Sequence, residues 1–120
     1  MLLVNAFSIN MLCQGDISLR FERLTVGQVY TLLEQLYHQE DEGLVNAIGH
    51  TSTDTIVRDQ LAGSILEIPK GQRMDVQWPQ DLDTEHRMLV AQYRGPRLPE
   101  GATILPEGAE IEYWLVTSDY

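Results

Sequence analysis

The sequence predicts a single α/β domain in which a mixed β-sheet of about five or six strands is flanked by helices. The chain has 120 residues, which is the length of one domain. Hydrophobic residues make up 43% of it, enough to bury a small core. Two segments with helical periodicity lie among the strand-like segments, and this mixture is typical of α/β proteins with a mixed sheet.

Three of the predicted strands lie in the first half of the chain. Residues 2–7 are a nearly continuous apolar run, which is typical of a buried strand. Residues 16–22 alternate between polar and apolar side chains, which predicts a strand with one buried face. Residues 44–49 predict a second buried strand.

Both predicted helices also lie in this half. Thr25-Val26-Gly27-Gln28 resembles a capping box, so a helix is expected to begin there. Its apolar stripe would consist of Val26, Val29, Tyr30, Leu33, Leu36 and Tyr37. For the second helix, Thr51 or Ser52 is the expected N-cap and Gly63 is the expected C′ residue.

The second half of the chain contains three further strands and one long irregular segment. The strands are predicted at residues 73–78, 88–93 and 110–117. Residues 95–109 lack periodicity, and the sequence Leu-Pro-Glu-Gly-Ala occurs twice within them, at 98–102 and at 105–109. This duplication predicts two successive turns in an ordered loop.

The charge balance restricts the classes of partner. The chain has 8 basic and 18 acidic residues, which gives a net charge of −10. Duplex nucleic acid is therefore not an expected partner, because proteins bind duplex DNA through many Lys and Arg contacts to phosphate. A small anion is compatible with this charge, since screening acts over about 8 Å in physiological salt and one or two arginines can dominate a pocket.

The sequence lacks the features of disulfide-bonded, membrane-bound and metal-binding proteins. Cys13 is the only cysteine, which excludes an intrachain disulfide and favours a reducing, cytoplasmic location. The apolar run at residues 1–4 is too short for a signal or membrane segment, and no membrane association is expected. Common nucleotide-binding, metalloprotease and CxxC motifs are absent, and neither a metal site nor a cofactor is predicted.

His50 is the most informative candidate for chemistry. It follows a predicted strand and Gly49, and it precedes a predicted helix start, where backbone N–H groups lack partners within the helix. One interpretation is a histidine that hydrogen-bonds a helix terminus or a core carbonyl. The other is a general acid or base, since histidine titrates near neutral pH. His38 and His86 stand in polar contexts and are expected at the surface.

Four further polar residues also have two interpretations each. Asn5, Ser8 and Asn10 follow the first predicted strand, and they either cap a short turn or bind a ligand. Gln92 lies in an apolar strand, where its amide needs a partner. Either the fold or a ligand supplies that partner.

Two arginines flank the Gly95-Pro96 pair. Arg94 and Arg97 either lie in a solvated turn or clamp a phosphate group. Arginine is chemically suited to clamp a phosphate group, because its planar guanidinium binds phosphate through paired hydrogen bonds.

Two long runs of the sequence resemble one protein family. Asn-Ala-Phe-Ser-Ile-Asn-Met-Leu at residues 5–12 and Asn-Ala-Ile-Gly-His-Thr-Ser-Thr at 46–53 resemble the type III anti-CRISPR ring nucleases of archaeal viruses and phages, which have cellular CRISPR-associated relatives. The resemblance continues in Arg-Met-Asp-Val at 73–76, in the Gln92 strand and in Arg-Leu-Pro-Glu-Gly at 97–101. It covers most of the chain, as one domain over residues 1–120.

The resemblance implies a homodimer that binds cyclic tetra-adenylate, the second messenger of type III CRISPR defence. It implies cleavage of the ring without metal or cofactor, by attack of a ribose 2′-hydroxyl on the adjacent phosphodiester. The products are linear fragments with a 2′,3′-cyclic phosphate, and the signal is switched off. The family includes viral proteins, which would act in the host cytoplasm, and cellular proteins, and both alternatives stand for this chain.

Roles for individual residues follow from the same resemblance. His50 would be the proton donor, Arg97 would stabilise the transition state, and Glu100 would orient the reacting groups. The implied ligand contacts are Asn5, Ser8, Asn10, Gly49, Arg73, Gln92 and Arg94. One extra residue before Arg97 makes Arg94 an alternative to it, and the duplicated Leu-Pro-Glu-Gly makes Glu107 an alternative to Glu100.

Two other functions are compatible with the sequence. A binding protein that sequesters or senses a cyclic oligonucleotide would need the same ligand contacts without useful turnover. A DNA-binding viral regulator is disfavoured by the net charge of −10.

Overall fold

The computed structural model describes residues 1–8, 11, 18–39, 44–76, 87–99 and 101–118. It contains five strands and two helices, with the following bounds in chain order: β1 (Leu2–Val4), β2 (Leu19–Leu24), α1 (Val26–Tyr37), β3 (Val45–Asn46), α2 (Thr51–Gln60), β4 (Arg87–Arg94) and β5 (Glu110–Ser118).

The strands form one mixed sheet in the order β2-β5-β4-β1-β3. The short β1 is parallel to both of its neighbours, with Leu3 paired to Asn46 on β3 and to Leu89 on β4. The long β5 is antiparallel to β4 and to β2. The predicted α/β domain with a mixed sheet is confirmed, with five strands.

Alternating side chains along the strands give the sheet two apolar faces. One face packs against apolar residues of both helices and includes Leu3, Leu89, Ala91, Ile111 and Tyr113. The opposite face carries a smaller cluster that includes Leu2, Val4, Met88, Val90 and Val116. The near-continuous apolar runs of β1 and β4 follow from burial on both faces.

Two strands, β1 and β3, are shorter than predicted. β1 ends at Val4 rather than at residue 7, and β3 covers only Val45–Asn46 rather than 44–49. After β3, the Asn46 side chain accepts a hydrogen bond from the backbone N–H of Ile48 at 3.1 Å, which turns the chain out of the ladder. The chain therefore leaves the sheet early, at the edge where candidate polar residues follow both strands.

The strand predicted at residues 73–78 is wrong over its described part. Residues 73–76 form no strand. Gln72 donates its N–H to the carbonyl of Asn46 at 3.0 Å, so this segment contacts the β3 edge without building a ladder. Val76 is buried in the smaller apolar cluster, which explains its apolar character without a strand.

The start of α1 is confirmed and that of α2 is corrected. Thr25 and Gln28 form the predicted reciprocal capping box. The N-cap of α2 is His50, not Thr51 or Ser52, and its C-cap is Leu61. Gly63 lies beyond that cap rather than at C′, and a Cβ there would lie 3.3 Å from the hydroxyl of Tyr30.

Both copies of the Leu-Pro-Glu-Gly duplication form turns, as predicted. Ala102 donates to the carbonyl of Pro99 and Ala109 to that of Pro106, each at 3.1 Å. Gly101 and Gly108 have φ angles of 80° and 79°, a left-handed conformation that favours glycine. Among the described helices, neither is long and apolar enough to span a membrane.

Candidate functional site

A cleft of about 1230 Å³ opens where the parallel strands β1, β3 and β4 reach their carboxyl ends. One wall is the start of α2, from Gly49 to Thr53, and the other includes Gln92 and Arg97, with Asn5 of the β1 exit also lining the space. Ligands of α/β sheets bind at this edge, because chain exits of neighbouring strands leave a crevice there.

His50 lies on the α2 wall and holds the helix start. Its Nδ1 accepts a hydrogen bond from the backbone N–H of Thr53 at 3.2 Å, and it lies 2.8 Å from the Thr53 hydroxyl. The His50 carbonyl accepts from Asp54 N–H at 2.9 Å. The capping interpretation of His50 is therefore confirmed. It is compatible with the chemical interpretation, because Nε2 makes no hydrogen bond to any described residue.

The same helix start offers donors to an anion. Thr51 and Ser52 are the first two residues of α2, and neither backbone N–H has an acceptor among the described residues. Such groups carry the positive end of the helix dipole. An oxygen of a phosphate group can accept from both amides while it lies beside the His50 ring.

A buried polar network fixes this wall from behind. The Asp54 carboxylate accepts from the Asn46 amide at 2.6 Å, from Arg58 Nε at 3.1 Å and from Gly71 N–H at 2.9 Å. Asn46 also donates to the carbonyl of Pro69 at 2.8 Å. The network joins the end of β3, the first turn of α2 and the loop at residues 69–73, which are the three segments around His50.

Two glycines allow the close approach of that loop. A Cβ at Gly71 would lie 2.5 Å from the Ile48 carbonyl and 2.8 Å from an Asp54 carboxylate oxygen. A Cβ at Gly49 would lie 3.0 Å from the Cβ of Arg73. Gly49 lines the cleft, and Arg73 packs against Gly49 without itself lining the cleft.

The opposite wall places Arg97 in the cleft. Gly95 has a φ of 153°, and a Cβ there would lie 2.6 Å from the Cβ of Ala109, so the turn after β4 needs glycine. The Tyr93 hydroxyl donates to the carbonyl of Pro96 and holds that turn. Arg97 is exposed and lines the cleft, and it forms no ion pair with the other described residues.

Arg94 is in a different environment. Its Nε lies 3.3 Å from a carboxylate oxygen of Glu112. The Trp114 indole, with Arg94 and Arg23, lowers the pKa of Glu112 below its ordinary value. Arg94 lines a second groove, of about 400 Å³, beside Trp114. The geometry brings Arg97, and not Arg94, together with His50.

The remaining candidates divide between described and undescribed positions. Asn5, Gly49 and Gln92 line the cleft, whereas Ser8 does not. Glu107 is exposed and lies outside the cleft lining. Asn10, Glu100 and His86 fall outside the described residues. His38 is exposed at the C-terminus of α1, as predicted.

The comparisons with known proteins reveal a structural similarity to a viral protein. The chain is similar to the solved structure of B116 of Sulfolobus turreted icosahedral virus, with 27% sequence identity, coverage of 97% of each chain and a TM-score of 0.71. No protein-family model matches the chain. No curated protein matches it either. The match with B116 spans both walls of the cleft, because it covers nearly the whole chain.

Three residues around His50 were not predicted from the sequence as part of the site. Asn46 and Asp54 are only 4% and 3% exposed and form the supporting network, and Thr53 is 4% exposed and contacts the His50 ring. A polar Asn at the end of an apolar strand was the one available signal. Among the described residues, no group of three His, Cys, Asp or Glu side chains is placed to hold a metal ion.

Proposed function

We propose that this protein is a metal-independent ring nuclease that binds cyclic tetra-adenylate in the cleft of a homodimer and cleaves it through a ribose 2′-hydroxyl. One observation carries the proposal. The described lining of the cleft combines the His50 imidazole and the Arg97 guanidinium with the backbone N–H groups at the start of α2. The cleft is thus suited to an anion despite the net charge of −10.

The size of the cleft supports a ligand larger than a single nucleotide. Pockets for small molecules have volumes of roughly 300–1,000 Å³, and this cleft reaches about 1230 Å³ in one chain. Two copies related by a two-fold axis would present the same groups to opposite halves of a ring. The resemblance to a viral structure favours the viral form of the function, a counter-defence protein in the host cytoplasm.

The proposed reaction uses the two walls in different ways. The 2′-oxygen bonds to phosphorus while the bond from phosphorus to the 5′-oxygen breaks. Protonated His50 gives its Nε2 proton to the departing 5′-oxygen, and the 2′-hydroxyl proton passes to water. Arg97 and the amides of Thr51 and Ser52 stabilise the phosphorane-like charge. General acid catalysis of this kind contributes about 10²–10⁴ in rate.

The test is cleavage of labelled cyclic tetra-adenylate in the presence of EDTA, followed by chromatography of the products. The wild-type protein is expected to yield linear fragments with a 2′,3′-cyclic phosphate. If the ring is bound but stays intact, the protein is a sequestering or sensing protein and not an enzyme. Cleavage that EDTA abolishes would overturn the metal-free mechanism.

His50→Asn separates the chemical role of His50 from its role as a cap. Asparagine is a strong N-cap residue but supplies no proton, so the variant is expected to fold normally and to lose ring cleavage. His38→Asn, at the exposed end of α1, is the matched control and is expected to keep full activity. Wild-type activity in His50→Asn would exclude His50 as the proton donor.

A further inference from the structure

We infer that Thr53 is the positioning residue of His50. Its buried hydroxyl fixes the imidazole ring, so that Nδ1 stays on the helix and Nε2 is directed to the ligand. The inference rests on the proposed role of His50 as proton donor. It adds a residue that acts through His50 and does not itself contact the reacting atoms.

Within the described ranges, Thr53 supplies the hydrogen-bonding contacts of Nδ1. The Thr53 hydroxyl lies 2.8 Å and the Thr53 backbone N–H 3.2 Å from this nitrogen. Thr53 is 4% exposed and is held by the first turn of α2, whose Asp54 N–H donates to the His50 carbonyl. The ring is thus fixed at one edge by a rigid element, which is how functional side chains are kept in a productive geometry.

The two partners of Nδ1 are not equivalent. A backbone N–H can only donate, so it supports the ring when Nδ1 is unprotonated. A hydroxyl has one donor hydrogen and two acceptor lone pairs. When the ring is protonated at both nitrogens, the Nδ1 proton needs an acceptor, and the Thr53 hydroxyl is the described group within reach. A proton donor must pass through this protonated state, so the hydroxyl keeps the ring in place where the amide alone cannot.

A second threonine of α2 shows what an ordinary helical hydroxyl does. Thr55 donates its hydroxyl hydrogen to the Thr51 carbonyl at 3.0 Å, within the helix, whereas the described hydrogen bonds of the His50 ring go to Thr53. The chain therefore provides a matched control, two residues away on the same helix.

The experiment compares Thr53→Val, Thr53→Ser and Thr55→Val in single-turnover cleavage of cyclic tetra-adenylate. Binding is measured separately with the 2′-deoxy form of the ring, which lacks the nucleophile. Thr53→Val is expected to lower the cleavage rate by about 10–100-fold, by analogy with removal of the hydrogen-bond partner that orients a metal-ligating histidine. Its dissociation constant stays the same, Thr53→Ser restores the rate, and Thr55→Val changes neither quantity.

A readout that needs no activity separates this inference from the proposed function. In long-range ¹H–¹⁵N spectra of the wild-type protein, neutral His50 is expected to carry its proton on Nε2, and its ring signals shift in Thr53→Val but not in Thr55→Val. A neutral ring protonated on Nδ1, or equal rates for the two valine variants, would overturn the positioning role. If the spectra are as expected but the wild-type protein does not cleave the ring, the proposed ring nuclease function would be overturned and the positioning of His50 by Thr53 would stand.

Discussion

The Asn46 amide donates a 2.6 Å hydrogen bond to the Asp54 carboxylate, and both residues are almost fully buried directly behind His50. The contact joins the last residue of β3 to the first turn of α2. The same carboxylate also accepts hydrogen bonds from Arg58 and from the N–H of Gly71. Together these donors replace the water molecules that an ionised carboxylate would otherwise need. The position of the candidate catalytic wall therefore depends on one buried charge.

Removal of that charge is expected to destabilise the protein. Asp54→Ala leaves the Gly71 N–H and one of the two Asn46 amide hydrogens without an acceptor, and buried unsatisfied groups cost about 1–3 kcal/mol each. We expect a decrease of about 2–4 kcal/mol in the free energy of unfolding, measured by urea denaturation. Asp59→Ala, at an exposed position of the same helix, is the control and should change it by less than about 0.5 kcal/mol. Similar losses in both variants would contradict the role of the network.

A pair of glycine substitutions with opposite expected signs tests the close approach of the 69–73 loop. Gly71→Ala places a methyl group 2.5 Å from the Ile48 carbonyl, and overpacking of this kind costs about 1–3 kcal/mol. Gly27 lies in α1, where a Cβ would come no closer than 3.9 Å to Thr25 Oγ1. Gly27→Ala should therefore stabilise the protein by about 0.4–1 kcal/mol, by restricting the unfolded chain.

Both values would come from the same denaturation experiment. An unchanged stability in Gly71→Ala would show that the loop can move away from Ile48 without cost. In that case the loop would not fix the position of His50.

Burial of Tyr113 predicts a loss of stability at alkaline pH. Burial, with Tyr30 nearby, raises the pKa of Tyr113 well above its ordinary value, and its hydroxyl donates to the Gln60 side chain. Above the ordinary tyrosine pKa of about 10, the unfolded chain releases this proton while the folded protein keeps it. The unfolded state then binds fewer protons, so the free energy of unfolding falls as pH rises.

Tyr113→Phe removes this titrating group. The free energy of unfolding of the variant is therefore expected to fall less steeply between about pH 9 and pH 11 than that of the wild-type protein. It also removes the hydrogen bond to Gln60, at a cost of about 1 kcal/mol near neutral pH. Tyr37 is 52% exposed, so Tyr37→Phe should leave the dependence of the free energy of unfolding on pH as it is in the wild-type protein. Equal alkaline slopes for wild type and Tyr113→Phe would assign the decrease to other groups.

Local signals in the sequence predicted local structure, and contacts between distant residues were not predicted. The capping box at Thr25 and the turn at Gly108 involve neighbours three or four residues apart, so the sequence contains the whole pattern. A hydrogen bond from His50 to a helix terminus was one of its two interpretations, but Thr51 or Ser52 was predicted as the N-cap residue, because the usual preference is for Ser, Thr, Asp and Asn. The bond from Gly71 to Asp54 spans 17 residues and depends on how the 69–73 loop folds back.

The choice between Arg94 and Arg97 shows the same limit. Both arginines flank Gly95-Pro96, and spacing along the chain did not separate them. The separation comes from sheet register, which pairs Arg94 with Glu110 and brings its guanidinium to Glu112, and from the turn at Gly95, which carries Arg97 into the cleft.

Substitution of each arginine tests that separation directly. Arg97→Ala is expected to lower the rate of ring cleavage by about 10²–10³, as removal of a group that stabilises the transition state does. Arg94→Ala breaks an exposed ion pair, which contributes about 0–1 kcal/mol to stability, and should lower the rate by less than about tenfold. Single-turnover rates and urea denaturation of both variants give the comparison. A larger loss in Arg94→Ala would mean that ligand binding breaks its ion pair with Glu112 and recruits Arg94 to the phosphate instead.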